Sequence, residues 1–169
     1  MNLVSKTLLL VAAIGLGACT DPSQYGTGGN GTDYNSTADL NGVNDPSSPA
    51  YFRETIGDRV LFAVDQSTLG DGARATLLAQ ANWLHANPEF DALIEGHADE
   101  QGTREYNLAL GARRANAVEE YLSSQGIASN RLRVVSFGKE RPIEVCSDET
   151  CYGQNRRAVT VISAGALTS

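Results

Sequence analysis

The chain has 169 residues, 41% apolar and 20% charged, enough for one domain of ordinary size plus extensions and too apolar for disorder along its whole length. Its formal net charge is −7. That excludes bulk attraction to nucleic acid or to an anionic membrane surface, so an anionic partner needs a local basic site.

Residues 1–18 read as an export signal. Lys6 is the only charge, and the apolar run Leu8 to Ile14 follows it. The run is too short to span a bilayer, which needs about 20 apolar residues. A buried N-terminal core helix is the blander reading. The next residues, Leu16-Gly17-Ala18-Cys19, resemble a bacterial lipobox, in which a cysteine follows small residues directly after the apolar stretch. That resemblance implies that Cys19 becomes the mature N-terminus and carries acyl chains, two or more of which anchor stably where one is marginal. Thr20, where an Asp would signal retention at the inner membrane, points to the outer one. With Cys19 given to lipid, Cys146 and Cys151 remain. An oxidising compartment permits a disulfide between them, and no His stands near them to complete a metal site.

Residues 19–50 form the lipid-bearing end and a linker. The segment 20–50 holds Gly26-Thr27-Gly28-Gly29-Asn30-Gly31, three prolines, and four aspartates with no basic partner, in no period that could bury a face. As a coil of about 31 residues it spans roughly 30 Å on average. Fully extended it reaches on the order of 100 Å.

Residues 51–169 hold the folded domain. Residues 59–64 are β-branched and aromatic, hence a strand. Leu77, Leu78, Ala81 and Leu84 give residues 71–87 a helical stripe that ends before Pro88. Trp83 reads as packing, not as a binding platform. Residues 92–97 form the second strand. A long helix over 103–125 carries Leu108, Ala115, Val118 and Leu122 as its buried stripe, with Gly126 as its C-terminal cap. Strands at 132–137 and 157–162 follow, the second reached through the cysteine-bearing loop. The strand–helix–strand–helix–strand order predicts a two-layer α/β sandwich.

The informative stretch is 95–116. A strand ends at His97, a polar loop with Asp99 and Gly102 follows, and a helix starts near Thr103 with its free N–H groups facing the loop. Arg114 stands about 16 Å along the helix axis from Thr103. Spacing alone therefore does not bring Asp99 and Arg114 together, and a structural ion pair or solvated helix charges is the bland reading of both. His97 could be a metal ligand or a general base with Asp99, but a hydrogen-bonding histidine at a strand end is the simpler reading. Arg156 and Arg157 could reach a ligand or partner, or pair with acids at a strand edge.

The motifs Phe62-Ala63-Val64-Asp65, Gly96-His97-Ala98-Asp99, Gly102, Tyr106-Asn107, Leu110-Gly111, Arg113-Arg114-Ala115 and Asn155-Arg156-Arg157-Ala158-Val159 closely resemble those of OmpA-like peptidoglycan-binding domains. The resemblance covers about two-thirds of the chain, and the lipobox favours a lipoprotein branch. It implies a βαβαββ fold with a four-stranded mixed sheet packed on helices. It also implies a ligand, the diaminopimelate side chain of the peptidoglycan stem, whose free end carries an ammonium and a carboxylate. By resemblance Asp99 takes the ammonium and Arg114 the carboxylate, while Asp65, Thr103, Asn107 and Leu108 line the site. The implied protein is a non-enzymatic outer-membrane tether facing the periplasm, without cofactor, partnered by TolB and other Tol proteins in envelope integrity and cell division. Ala63 departs from the acid or aromatic often seen there, and the cysteine loop is an addition relative to many members. The competing reading is a peptidoglycan hydrolase using Asp99 and His97. Glycosidases use two carboxylates, and this motif offers one acid opposite an Arg.

Overall fold

Strands β1 (Arg59–Leu61), β4 (Arg157–Ala164), β2 (Phe90–His97) and β3 (Leu132–Gly138) lie side by side in that order in a computed structural model that describes residues 42–145 and 147–165. The expected signal, Cys19, residues 20–41 and Cys146 lie outside the described residues. β4 is antiparallel to both β1 and β2, with Val60 opposite Ala158 and Ile94 opposite Thr160. β2 and β3 are parallel, with Ile94 opposite Val134. Helix α1 (Pro49–Tyr51) runs into a π-helical turn, Phe52–Gly57. Helix α2 (Asp71–Ala86) joins β1 to β2, and α3 (Arg104–Ser124) is the crossover from β2 to β3. A parallel pair needs such a crossover. The expected two-layer sandwich with a mixed four-stranded sheet is therefore present.

The core forms where the helical and strand periods meet. Leu77, Ala81 and Leu84 of α2 and Ala115, Val118 and Leu122 of α3 pack on Ala92, Ile94 and Ala158 of the sheet. Leu78 and Leu108, expected in those stripes, are instead exposed. Leu108 sits in the first turns of α3, beyond the residues of that helix that cover the core. Gly126 closes α3 at φ 94°, the left-handed geometry of a helix stop.

Three segments differ from expectation. Residues 42–50, assigned by composition to the linker, pack on the domain: Ser48 caps α1 and is buried, and Trp83 Nε1 donates to the Pro46 carbonyl at 2.7 Å. Trp83 is packing, as expected, edge-on to Phe52 at 4.9 Å and beside Phe90 at 5.2 Å. β1 stops at Leu61, three residues early, because the chain turns there and Asp65 takes φ 58°. The cysteine loop contains a further helix, α4 (Glu149–Asn155), capped by Asp148 accepting from Cys151 N–H at 3.0 Å. Cys151 is buried and disulfide-bonded.

Candidate ligand-binding site

β1 and β2 are both antiparallel to β4, so they run the same way and end at one edge of the sheet. The chain leaving β1 (residues 62–66), the loop leaving β2 (98–103) and the start of α3 meet there. Thr103 caps α3 by accepting from Tyr106 N–H at 3.2 Å. Asn107, buried, donates from Nδ2 to the Gln101 carbonyl at 2.7 Å and folds the loop over the helix start. These segments form an open cavity of about 260 Å³ lined in part by Asp65, Asp99, Gln101, Tyr106, Asn107 and Leu110.

Arg114, fully buried, is not among the lining residues but braces the segments that frame the cavity. Its Nε donates to the Gln66 carbonyl at 2.8 Å, Nη1 to the His97 carbonyl at 2.8 Å, and Nη2 to the Ala63 carbonyl at 3.3 Å. The guanidinium also stands over the Phe62 ring, 5.3 Å from its centroid. The reach follows from helix geometry: side chains lean toward the helix N-terminus, and α3 runs back along β2, so a long side chain recovers much of the axial distance. Burial lowers the Arg114 pKa to about 10, with the Asp99 charge opposing the fall, so the group stays cationic at neutral pH. Three of its five N–H groups are committed to carbonyls, which leaves two.

Asp99 is also buried. One carboxylate oxygen accepts from Gln101 N–H and the other from Arg156 Nη1, both at 3.2 Å. Its direct partner is thus Arg156, not Arg114. Burial opposes the Arg156 charge, but hydrogen bonds and charges from Glu149 and Asp99 outweigh it and raise the pKa. At the mouth, Tyr106 Oη donates to the Asp65 carboxylate, which raises the Tyr106 pKa.

A family model described as the OmpA family matches residues 61–156. The chain belongs to the OmpA family. It is 51% identical over 133 residues to a peptidoglycan-associated lipoprotein of Mesorhizobium japonicum, covering 76% of this chain and 79% of that one. A peptidoglycan-associated lipoprotein of Rhizobium meliloti is 53% identical over 121 residues, covering 72% and 69%. A crystal structure of the peptidoglycan-associated lipoprotein from Burkholderia pseudomallei superposes with a TM-score of 0.64 at 40% identity, over 72% of this chain and 98% of that one.

Within this OmpA-family domain, the structure gathers Asp65, Asp99 and Asn107 on the cavity wall, while Arg114 is bonded to the His97 carbonyl and stands outside the lining. Thr103 frames the loop through its cap. Leu108 lies outside the lining, and its carbonyl accepts from Ser136 Oγ at 2.6 Å. Gln101 and Tyr106 line the site without having been assigned to it, and Arg156, read from sequence as able to reach a ligand or partner or to pair with acids, joins it by pairing with Asp99. Tyr106 and Arg156 both stand in the motifs that carry the family resemblance, which is the signal that could have found them.

His97 departs from its expected hydrogen-bonding role. Its ring is buried against Phe137 at 5.6 Å, with Nε2 3.4 Å from Glu95 but no hydrogen bond at either nitrogen. Burial first, then the Arg157 and Arg141 charges, lowers its pKa to about 4. Arg157, whose Nη2 donates to the Arg141 carbonyl at 3.1 Å, belongs to this cluster and not to the cavity.

Proposed function

We propose that this chain is an outer-membrane lipoprotein that binds peptidoglycan non-covalently through the diaminopimelate of the stem peptide, tethering the membrane to the wall. One observation carries the reading: a cavity with the buried Asp99 carboxylate on its wall and, bonded to the backbone of the segments that frame it, the buried Arg114 guanidinium. A side-chain end bearing both ammonium and carboxylate is complementary to that pair. Asp99 receives the ammonium. The two uncommitted N–H groups of Arg114 serve the carboxylate, Asp65 and Asn107 line the cavity, and Thr103 frames its loop. The names of the relatives, peptidoglycan-associated lipoproteins, support the polymer as ligand.

Cys19 carries the lipid, residues 1–18 are the signal, and the segment after Cys19 spans from membrane to wall. A Cys146–Cys151 disulfide ties the preceding loop to α4. TolB and other Tol proteins are the partners, in envelope integrity and cell division. Many copies on one polymer sheet raise the effective concentration, so individual contacts can be weak.

A hydrolase using Asp99 with His97 fits less well. An acid–base pair must exchange protons near neutral pH, whereas His97 is held neutral by a pKa of about 4 and Asp99 is paired with Arg156. Co-sedimentation with purified sacculi tests the proposal. The wild-type protein should pellet with the wall and release no fragments, while Asp99→Ala should stay in solution. Equal pelleting of a folded Asp99→Ala variant would place the binding site elsewhere.

A further inference from the structure

Arg156 joins three parts of the site edge. Its Nε donates to the Phe62 carbonyl at 3.3 Å, Nη1 donates to Asp99 at 3.2 Å, and Nη2 donates to the Glu149 carboxylate. The Arg156 and Asp99 side chains are 7% and 10% exposed, while Glu149, in the first turn of α4, is 66% exposed and outside the cavity lining. A buried carboxylate matched one-to-one with a guanidinium is neutral from a distance and attracts a cation weakly. One guanidinium shared by two carboxylates leaves that trio net negative, and because Arg114, which also feels the Asp99 charge, is cationic either way, Glu149 shifts the balance at Asp99 toward negative.

We propose that Glu149 is a positioning residue for the ligand: by sharing Arg156 with Asp99, it keeps Asp99 effectively anionic toward an ammonium group. The inference rests on the ammonium-binding role proposed above for Asp99. Glu149 never touches the ligand and acts only through Arg156. Its exposure admits screening by solvent and salt, so the effect is a few-fold and not orders of magnitude.

The test is calorimetric titration of the full-length protein with two soluble stem peptides. One carries diaminopimelate; the other has the terminal amine of that residue replaced by hydrogen. Glu149→Gln should weaken binding of the first about five-fold and leave the second unchanged, with the difference shrinking at high salt. Glu149→Asp, which keeps the charge, should recover part of the loss. Equal weakening of both peptides would mean that Glu149 is only a staple for α4, and no weakening of either would mean that Arg156 does not transmit its charge. Each overturns the inference while leaving wall binding intact. A wild-type protein that binds neither peptide overturns the ligand assignment itself, and the inference with it.

Discussion

Gly96 and Gly111 face each other where β2 meets α3, so closely that a Cβ on Gly96 would lie 1.9 Å from the Gly111 carbonyl oxygen. No side chain fits between them. This contact sets how near the helix lies to the strand, and from there Arg114, three residues further along α3, reaches the His97 carbonyl next to Gly96. The site depends on a backbone approach made by two residues without side chains.

Gly96→Ala should therefore do more than crowd the core. The clash is with backbone, which cannot swing away, so α3 must shift. A stability loss of about 3 kcal/mol is expected. Gly72→Ala is the control: Gly72 lies in the first turn of α2 with nothing within 4 Å of a new Cβ. It should be neutral or stabilising by about 0.5–1 kcal/mol through helix propensity. Urea unfolding of both variants checks the pair, and a Gly96→Ala midpoint equal to wild type would remove the close approach from the argument.

The buried His97 makes stability depend on pH. Its folded pKa of about 4 lies below the ordinary 6.5, so the unfolded chain binds the proton more readily. Stability is then fully present above pH 6.5 and falls as the pH drops toward 4, by an amount on the order of 3 kcal/mol. His97→Gln should flatten that part of the profile. Urea unfolding at pH 7, 5.5 and 4 decides it. Parallel profiles for the variant and wild type would show that His97 does not drive the loss.

Much of the fold was legible because its signals are local. The helical spacing of Leu77, Ala81 and Leu84, and of Ala115, Val118 and Leu122, marks the two faces that build the core. The same stripes misplace Leu78 and Leu108, because periodicity does not say how far along a helix the sheet extends. α4 escaped notice as seven residues interrupted by Gly153, too short for a period to show. The site was legible only through motif resemblance. Asp99 and Arg156 are 57 residues apart and belong to different strand ends, and their pairing comes from the sheet order β1-β4-β2. Residues 42–50 looked like linker because Pro46, Ser48 and Pro49 are turn formers. Here those residues start a helix, and the Pro46 carbonyl is held by Trp83.

Cys151 leads to a chemical prediction. It is buried and disulfide-bonded, and Cys146 is its proposed partner. Alkylation of exported protein should label neither residue until a reductant is added, read by mass. Reduction should cost about 2 kcal/mol, modest because the closed loop is short. Two alkylated thiols at 146 and 151 in unreduced protein would refute the pairing.

Arg114 is where stability and binding separate. Arg114→Ala removes a buried cation and leaves the carbonyls of Ala63, Gln66 and His97 without their donor. The expected cost is about 3–5 kcal/mol, enough to threaten folding, so loss of binding in that variant would say little. Arg114→Lys is more informative. It keeps the charge and can satisfy one or two of the carbonyls, but an ammonium has no fork for a carboxylate. Circular dichroism should show a folded protein with stability lowered by about 1–2 kcal/mol. Affinity for a diaminopimelate stem peptide should fall at least ten-fold, which corresponds to about 1.4 kcal/mol. Asp99→Asn, which keeps the shape and removes the charge, should weaken the same peptide through its ammonium. The double variant should lose less than the sum of the two, because both residues act on one end of one ligand. Wild-type affinity in a folded Arg114→Lys protein would show that the guanidinium only braces the loops, and that the ligand's carboxylate is held by another group.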